Sequence, residues 1–406
     1  MFILGTASDL ATAHTPDCAR RNLTALLIAA ACVAVANSIF DTSFNSYLNE
    51  TFRISAGARG ALEFPRELPG FLVAVSTSLL FRLSISRAAV VAASCIAMGL
   101  LGLGFMSPTY TTMILGMVLW SMGTHLNMPL EASLALTTAR DGQVGARLGQ
   151  LEGAKTTAII VGAGIVWLGS DYFHLGFARL FITGALFALV AAAFLFRMRT
   201  PQMGKPGTAR FVVRREYSLY YLLCMLYGAR KQVFITFGPW VLIKVLGEPA
   251  STIAKLWIVS GSIGVVFRPA LGRLIDRKGE RFVLMADACL LMLVCLGYGF
   301  GPRLSWGMWG IRLAYACFVL DQLLIATTMA RTMYMNRIAL SKADITPTLS
   351  LGVTIDHAVS MTIPFVGGLL WMRAGYSAVF AVAAIIALMS LLTAYRVSPA
   401  AGQAAS

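Results

Sequence analysis

The sequence predicts an all-α integral membrane protein, with twelve transmembrane helices in two pseudo-symmetric six-helix halves. Three observations predict it: the composition, a succession of apolar stretches of helix length, and the uneven placing of basic residues between them. Of the 406 residues, 58% are hydrophobic and 13% charged, and mean hydropathy is +0.74. A soluble domain is roughly 45–50% apolar and about 25% charged. A soluble fold of this size has too few charges to cover so much apolar side chain. The same numbers exclude a disordered chain, a collagen and a disulfide-stapled miniprotein.

Crossing a bilayer takes about 20 apolar residues per helix. Twelve stretches qualify: 24–48, 58–81, 88–107, 110–136, 149–169, 178–197, 218–245, 252–271, 282–300, 308–330, 349–372 and 377–395. Most connections are short. The longest holds Arg199, Lys205, Arg210, Arg214 and Arg215 among Pro201, Gly204, Pro206 and Gly207, and reads as a polar linker. The expected organisation is a cytoplasmic tail (1–22), a first six-helix half (23–198), a cytoplasmic linker (199–216), a second half (217–396) and a cytoplasmic tail (397–406).

Charge gives the orientation. Lys and Arg number 33 against 18 Asp and Glu, a formal net charge of +15. In a soluble protein that excess would suggest nucleic acid. Here the bases sit in alternate loops, so no nucleic-acid partner is expected. With the N-terminus inside, the inner loops hold Arg20, Arg21, Arg82, Arg87, Arg140, Arg147, the linker cluster, Arg273, Arg277, Lys278, Arg281, Arg331, Arg337, Lys342 and Arg396. The outer loops hold few, such as Arg53, Arg59, Arg303 and Arg373. This bias places both termini in the cytoplasm of a bacterium, with the chain in the inner membrane. The first 22 residues lack the basic segment and apolar core of a cleaved signal.

Enzyme chemistry has no support. The seven cysteines form no CxxC and the four histidines are scattered, so no metal site or disulfide framework is expected. There is no phosphate-binding glycine loop and no nucleophile elbow. No cofactor is expected, and a monomer in contact with membrane lipid is.

The two halves show weak parallel similarity. An offset of 194 sets 36–44 over 230–238, aligning Phe40 with Phe234, Thr42 with Thr236 and Asn37 with Lys231. The same offset sets Arg87 over Arg281. An offset of 204 pairs Glu152 with Asp356, Gly164 with Gly368 and Trp167 with Trp371. Such matches, in order, suggest a duplicated six-helix unit.

Between the eighth and ninth stretches the chain reads Gly272-Arg-Leu-Ile-Asp276-Arg277-Lys-Gly279-Glu-Arg281. This resembles the inner-loop signature of the major facilitator superfamily, G-x-L-x-D-R-x-G-R-R, with Glu280 as the departure. Twelve stretches, two halves and a basic central linker fit that family, and the resemblance spans the whole chain. It implies a secondary transporter whose halves rock about a central site, with Gly272, Asp276, Arg277, Gly279 and Arg281 as a gating motif. Physically, glycines permit a tight turn, and an aspartate there can accept bonds from a helix N-terminus or from arginines. In the first-half copy only Arg87 survives, with Arg82 where the aspartate would stand.

Ionisable groups at membrane depth are functional candidates by default. The expected solute-binding set is Asn37, Asp41, Arg66, Glu67, His125, Asn127, Arg230, Lys231, Gln232 and Asp321. Glu63, Glu152, Asp356 and His357 are the candidates for proton coupling. Glu63, Arg66 and Glu67 share one helix face, either lining a cavity or pairing internally to fix packing, and Pro65 and Pro69 should kink that helix. Arg230 and Lys231 lie ~20 Å deep at about 1.5 Å per residue, too deep to reach either surface. Their side chains diverge by about 100°, so one can bind an anion while the other pairs with a carboxylate such as Asp41. Lys155 has two possible partners, Glu152 and Glu131. Asp356 has no base one turn away.

The expected function is a secondary active transporter of a small polar solute, anionic or zwitterionic, coupled to a proton or another ion. Two alternatives stay open: an exporter of apolar or cationic compounds, and a non-transporting membrane sensor built on a transporter fold.

Overall fold

The structure is a computed structural model that describes residues 16–105, 109–139, 144–203, 213–303 and 308–398. Arg140, Lys205, Arg210 and parts of the expected tails and linker lie outside the described residues. All regular elements among the described residues are helical. They are α1 (Pro16–Phe52), α2 (Ala56–Ala61), α3 (Glu63–Phe71), α4 (Val73–Leu79), α5 (Ile85–Phe105), α6 (Tyr110–Thr138), α7 (Val144–Asp171), α8 (Phe177–Phe196), α9 (Ser218–Trp240), α10 (Ala250–Phe300), α11 (Met308–Leu324), α12 (Thr328–Ile338), α13 (Lys342–Ala374) and α14 (Tyr376–Tyr395). Among the described residues, eight helical segments are long and apolar enough to cross a membrane. Large apolar side chains such as Leu79, Phe105, Val266 and Leu392 stand exposed, as a lipid-facing surface requires.

The irregularities have local causes. The stretch 58–81 breaks into α2, α3 and α4, with Pro69 inside α3 and the second break at Leu72. Proline removes one helical hydrogen bond and crowds the preceding turn. The 51 residues of α10 are two helices joined at Gly279, whose φ is 77° and ψ 166°, a region open essentially to glycine alone. A one-turn π-helix, Val241–Val245, follows α9. A 3₁₀ turn, Ile325–Thr327, separates α11 from α12.

The chain forms two compact units. The first comprises Met1–Phe52, Leu68–Thr208 and Ala250–Gly261; the second comprises Arg53–Glu67, Ala209–Pro249 and Ser262–Ser406. Each is built mostly from one half of the sequence and takes one segment from the other. At the repeat offset of 194, residues 53–67 correspond to 247–261, so the two borrowed segments match.

In the first unit, α5 and α6 meet through small residues: a side chain at Gly99 or Gly123 would strike the facing backbone. In membranes such close approach is what drives helix association. Phe40 of α1 stacks on Phe44 and on Trp120 of α6, at centroid distances of 4.3 and 3.5 Å. Ala250, Ala254 and Trp257 of the borrowed segment pack with α1 and α7. In the second unit, the borrowed segment lies on α13, where Gly368 faces the backbone of Ala56 and Gly57.

One kind of contact recurs at the sequence offset of 194. Arg87 at the start of α5 lies over Phe196 at the end of α8, 4.1 Å from its centroid. Arg281, its repeat mate, lies over Tyr395 at the end of α14, at 4.6 Å.

Candidate functional site

In the first unit the polar residues of α1, α6 and α7 satisfy one another. Asn37 Oδ1 accepts from Trp120 Nε1 at 3.0 Å and Thr124 Oγ1 at 3.1 Å. Asp41, one turn further along α1, is half-buried. His125 Nδ1 lies 2.9 Å from the Ser121 carbonyl. Lys155 bridges both expected carboxylates, at 2.7 Å from Glu131 and 3.0 Å from Glu152. Asn127 donates to the second oxygen of Glu131 at 3.0 Å. The Glu152 side chain is 57% exposed and that of Glu131 9%, so Glu131 is the carboxylate that buries the lysine. Asn127 and Glu131 also line a cavity of about 10 Å³ with Leu26 and Val33, room for about one water-sized molecule.

The second unit turns on three consecutive residues of α9. Successive helical side chains diverge by about 100°, and Arg230, Lys231 and Gln232 each reach a different helix. Arg230 NH1 donates to both oxygens of Asp287 on α10, at 2.9 and 2.7 Å. Lys231 Nζ donates to Asp356 of α13 at 2.7 Å. Gln232 Nε2 donates to Glu63 of α3. Gly228 makes the α9–α13 pairing possible, because a Cβ there would collide with Asp356. The carboxylates set against the deep bases are therefore Asp287 and Asp356. Ser360 Oγ lies 3.5 Å from the second Asp356 oxygen.

The acidic-basic face of α2 and α3 is an internal network. Glu63 is fully buried and accepts from Arg59, Arg66 and Gln232. Arg66 also holds Glu67 at 2.7 Å, and Glu67 lies 3.0 Å from His357 Nδ1. Asp321 is buried, with Arg230 NH2 3.9 Å away.

The motif residues sit at the bend of α10. Gly279 makes the turn and Arg281 stacks on Tyr395. Gly272 has open space around it, and Asp276 and Arg277 are exposed. The buried acid of the motif is Glu280, the departure from the family pattern. It pairs with Arg337 at 3.3 Å, and Arg337 also donates to the Ser398 carbonyl at 2.8 Å.

Sequence reasoning missed Asp287, Arg59 and the partner of Glu280. Asp287 was detectable, being the one carboxylate within the apolar stretch 282–300.

The family model described as Major Facilitator Superfamily matches residues 26–342. The chain belongs to the Major Facilitator Superfamily. It is thus a membrane transporter rather than an enzyme. No curated protein matches it in sequence. Among solved structures it resembles a variant of the nucleoside transporter NupG, at 14% identity and a TM-score of 0.75, covering 92% of this chain and 98% of that one. A POT family transporter in complex with 5-aminolevulinic acid gives 11% identity, a TM-score of 0.74, and coverage of 93% and 97%. A D-xylose-proton symporter gives 15% identity, a TM-score of 0.64, and coverage of 93% and 96%. Identities this low establish a shared fold.

The network makes a testable distinction between buried and exposed acids. Glu63→Gln removes the buried carboxylate that Arg59, Arg66 and Gln232 share, and should destabilise the protein by about 3–5 kcal/mol. Glu152→Gln removes the exposed partner of Lys155 and should cost under about 1 kcal/mol. Thermal unfolding of the purified protein in one detergent compares them; equal midpoints would show that Glu63 is not a structural acid.

Proposed function

We propose that this transporter moves a small polar solute bearing an anionic group, zwitterions included, and that proton binding at Asp356 controls its capture by Lys231. The observation that carries this reading is the Lys231–Asp356 pair. Both side chains keep partial access, 16% and 17%, whereas Arg230 in the next position is sealed at 3%. Of the two deep bases on α9, Lys231 is the one a solute can reach.

The chemistry follows from charge balance. While Asp356 is ionised it neutralises the ammonium, and an anionic solute must compete with it. A proton on Asp356 cancels its charge, and the freed ammonium then draws an anion to offset its own burial. Solute and proton thereby bind together. His357, next in sequence and set against Glu67, offers a second group able to take a proton. In the first unit we assign Asn37, Asp41 and His125 to the solute-facing polar surface. That one structural neighbour is a proton symporter and another was solved with 5-aminolevulinic acid supports this choice of solute class and coupling.

A second reading, export of cationic compounds, draws on three acids of the first unit, Asp41, Glu131 and Glu152, the last two of which already hold the cation of Lys155.

Ligand-dependent thermal stabilisation across a panel of anionic, zwitterionic, neutral and cationic metabolites separates them. A ligand at 100 times its Kd adds about 2.7 kcal/mol. Anionic or zwitterionic hits are expected, bound more tightly as pH falls. Lys231→Gln should weaken them about 30- to 5,000-fold, the equivalent of roughly 2–5 kcal/mol. Asp356→Asn should keep binding and flatten its pH dependence, leaving only what His357 contributes. Unchanged affinity in Lys231→Gln, with loss in Asp41→Asn, would support the exporter.

We further propose a bacterial inner-membrane location with both termini cytoplasmic, on the strength of the Lys and Arg bias. In a protein freed of native cysteines, Lys278→Cys at the α10 bend should react with an impermeant thiol reagent only from the cytoplasm. His174→Cys, in the turn before α8, should react only from outside. The reverse pattern would invert the topology.

A further inference from the structure

The aspartate most deeply enclosed in the second unit, Asp321, has no part in the Lys231–Asp356 switch. It sits on α11, 4% exposed. The base nearest to it is Arg230 NH2, at 3.9 Å, which is beyond hydrogen-bonding distance. Arg230 gives its hydrogen bonds to Asp287 through NH1 alone, and its Nε and NH2 atoms are buried without a hydrogen-bond partner. One guanidinium thus stands between two aspartates, bonded to one and turned toward the other with unused donors.

The remaining surroundings offer Asp321 little compensation. The side chains facing it are Cys295 and Tyr298 of α10 and Cys317 of its own helix, all buried. None carries a positive charge. On the far side of the cluster, Asp287 is also faced by Arg331 and Thr327. Arg331 is itself engaged, donating to Thr328 Oγ1 at 2.6 Å and lying 3.6 Å over the Tyr227 ring. An ionised carboxylate enclosed with no cation within hydrogen-bonding distance is strongly disfavoured, and a neutral acid there is tolerated.

We infer that Asp321 and Asp287 share one proton around Arg230, that the proton rests on Asp321 in this conformation, and that Arg230 changes aspartates when the proton moves. In the observed arrangement Asp321 is a neutral acid and Asp287 carries the charge that Arg230 neutralises. In the other, the proton sits on Asp287, and Arg230 NH2 closes the 3.9 Å gap to an ionised Asp321. Charge and proton count are the same in both. The two acids titrate as one coupled site. Asp287 is the more exposed, at 12% against 5% for the side chains, so the proton exchanges with water from its side.

A backbone feature stands where such an exchange would be felt. The α-helix of α11 ends at Leu324, and the chain tightens into the 3₁₀ turn Ile325–Thr327 before α12 resumes. A 3₁₀ segment between two α-helices often marks a hinge. Asp321 lies one turn before it, and Thr327, which faces Asp287, lies in it. Moving Arg230 between the aspartates therefore loads the two sides of this break differently. This site goes beyond the Lys231–Asp356 reading and does not require it.

Infrared difference spectroscopy of the purified transporter in lipid, without solute, tests the inference. At neutral pH the wild type should show the carbonyl stretch of a buried neutral carboxylic acid. Asp321→Asn should remove that band. Asp287→Asn should remove it too, because Arg230 then turns to Asp321 and ionises it. Asp356→Asn should leave it in place, whereas loss of the band in that variant alone would assign the proton to the Lys231 partner and overturn the inference. A band that survives Asp321→Asn overturns it, and one that survives Asp287→Asn overturns the exchange of Arg230. If Asp321→Asn does not fold, Asp321→Glu decides: the band must persist and shift, and an unshifted band belongs to another acid.

Discussion

A charge taken out of water needs an opposite charge or a set of hydrogen bonds, and in this transporter that requirement shapes the packing of the second unit. Three neighbouring residues of α9 carry most of it. The pitch of the helix sends Arg230 to α10, Lys231 to α13 and Gln232 to α3. Each partner lies on a different helix, so the angle and height of α9 are fixed from three sides. The network is a weak source of net stability, because desolvation offsets most of the Coulomb attraction. Its larger effect is selectivity of arrangement: a helix shift that separates one pair exposes two uncompensated charges.

The same constraint explains why the sites differ in function. Glu63 accepts from two arginines and a glutamine and is saturated. Lys231 and Asp356 have one strong partner each and partial access. Asp321 has a base near but unbonded. How fully each buried charge is answered separates these sites, and the solute capture proposed at Lys231 and the proton storage proposed at Asp321 rest on that difference. The turns at 83–87 and 277–281, which correspond at the offset of 194, are held in different ways. The second copy turns on Gly279, which the φ of 77° requires. The first copy lacks that glycine and is held instead by backbone bonds between Leu83, Ile85 and the chain at Pro201 and Met203, with Ser86 bonded to Thr200. The arginine–aromatic stack persists in both.

Much of this was legible in the sequence where the information is local. Apolar length marked the chain as helical and membrane-spanning, Pro65 and Pro69 predicted the break of the second stretch, and the pairing of Lys155 with Glu152 was visible from their spacing along one helix. The partners of the deep charges were not legible. Lys231 and Asp356 are 125 residues apart, Gln232 and Glu63 169, and Glu67 and His357 290. No periodicity within one helix encodes which other helix it will face. Glu280 was read only as a departure from a motif, because its meaning lies in Arg337, which the motif does not contain. The borrowing of 53–67 and 250–261 between units was equally hidden, since hydropathy marks where helices are and not what they pack against.

The central claim is that the deep charges are held as pairs, with Lys231–Asp356 the pair that functions. A double-mutant cycle on thermal stability, with Lys231→Met, Asp356→Leu and the two combined, tests it most directly. Each single change strands a buried charge and should cost about 3–5 kcal/mol, while the double change removes both and should recover most of the loss. If the two losses instead add, the residues do not answer each other's charge, and the pairing account of this transporter fails.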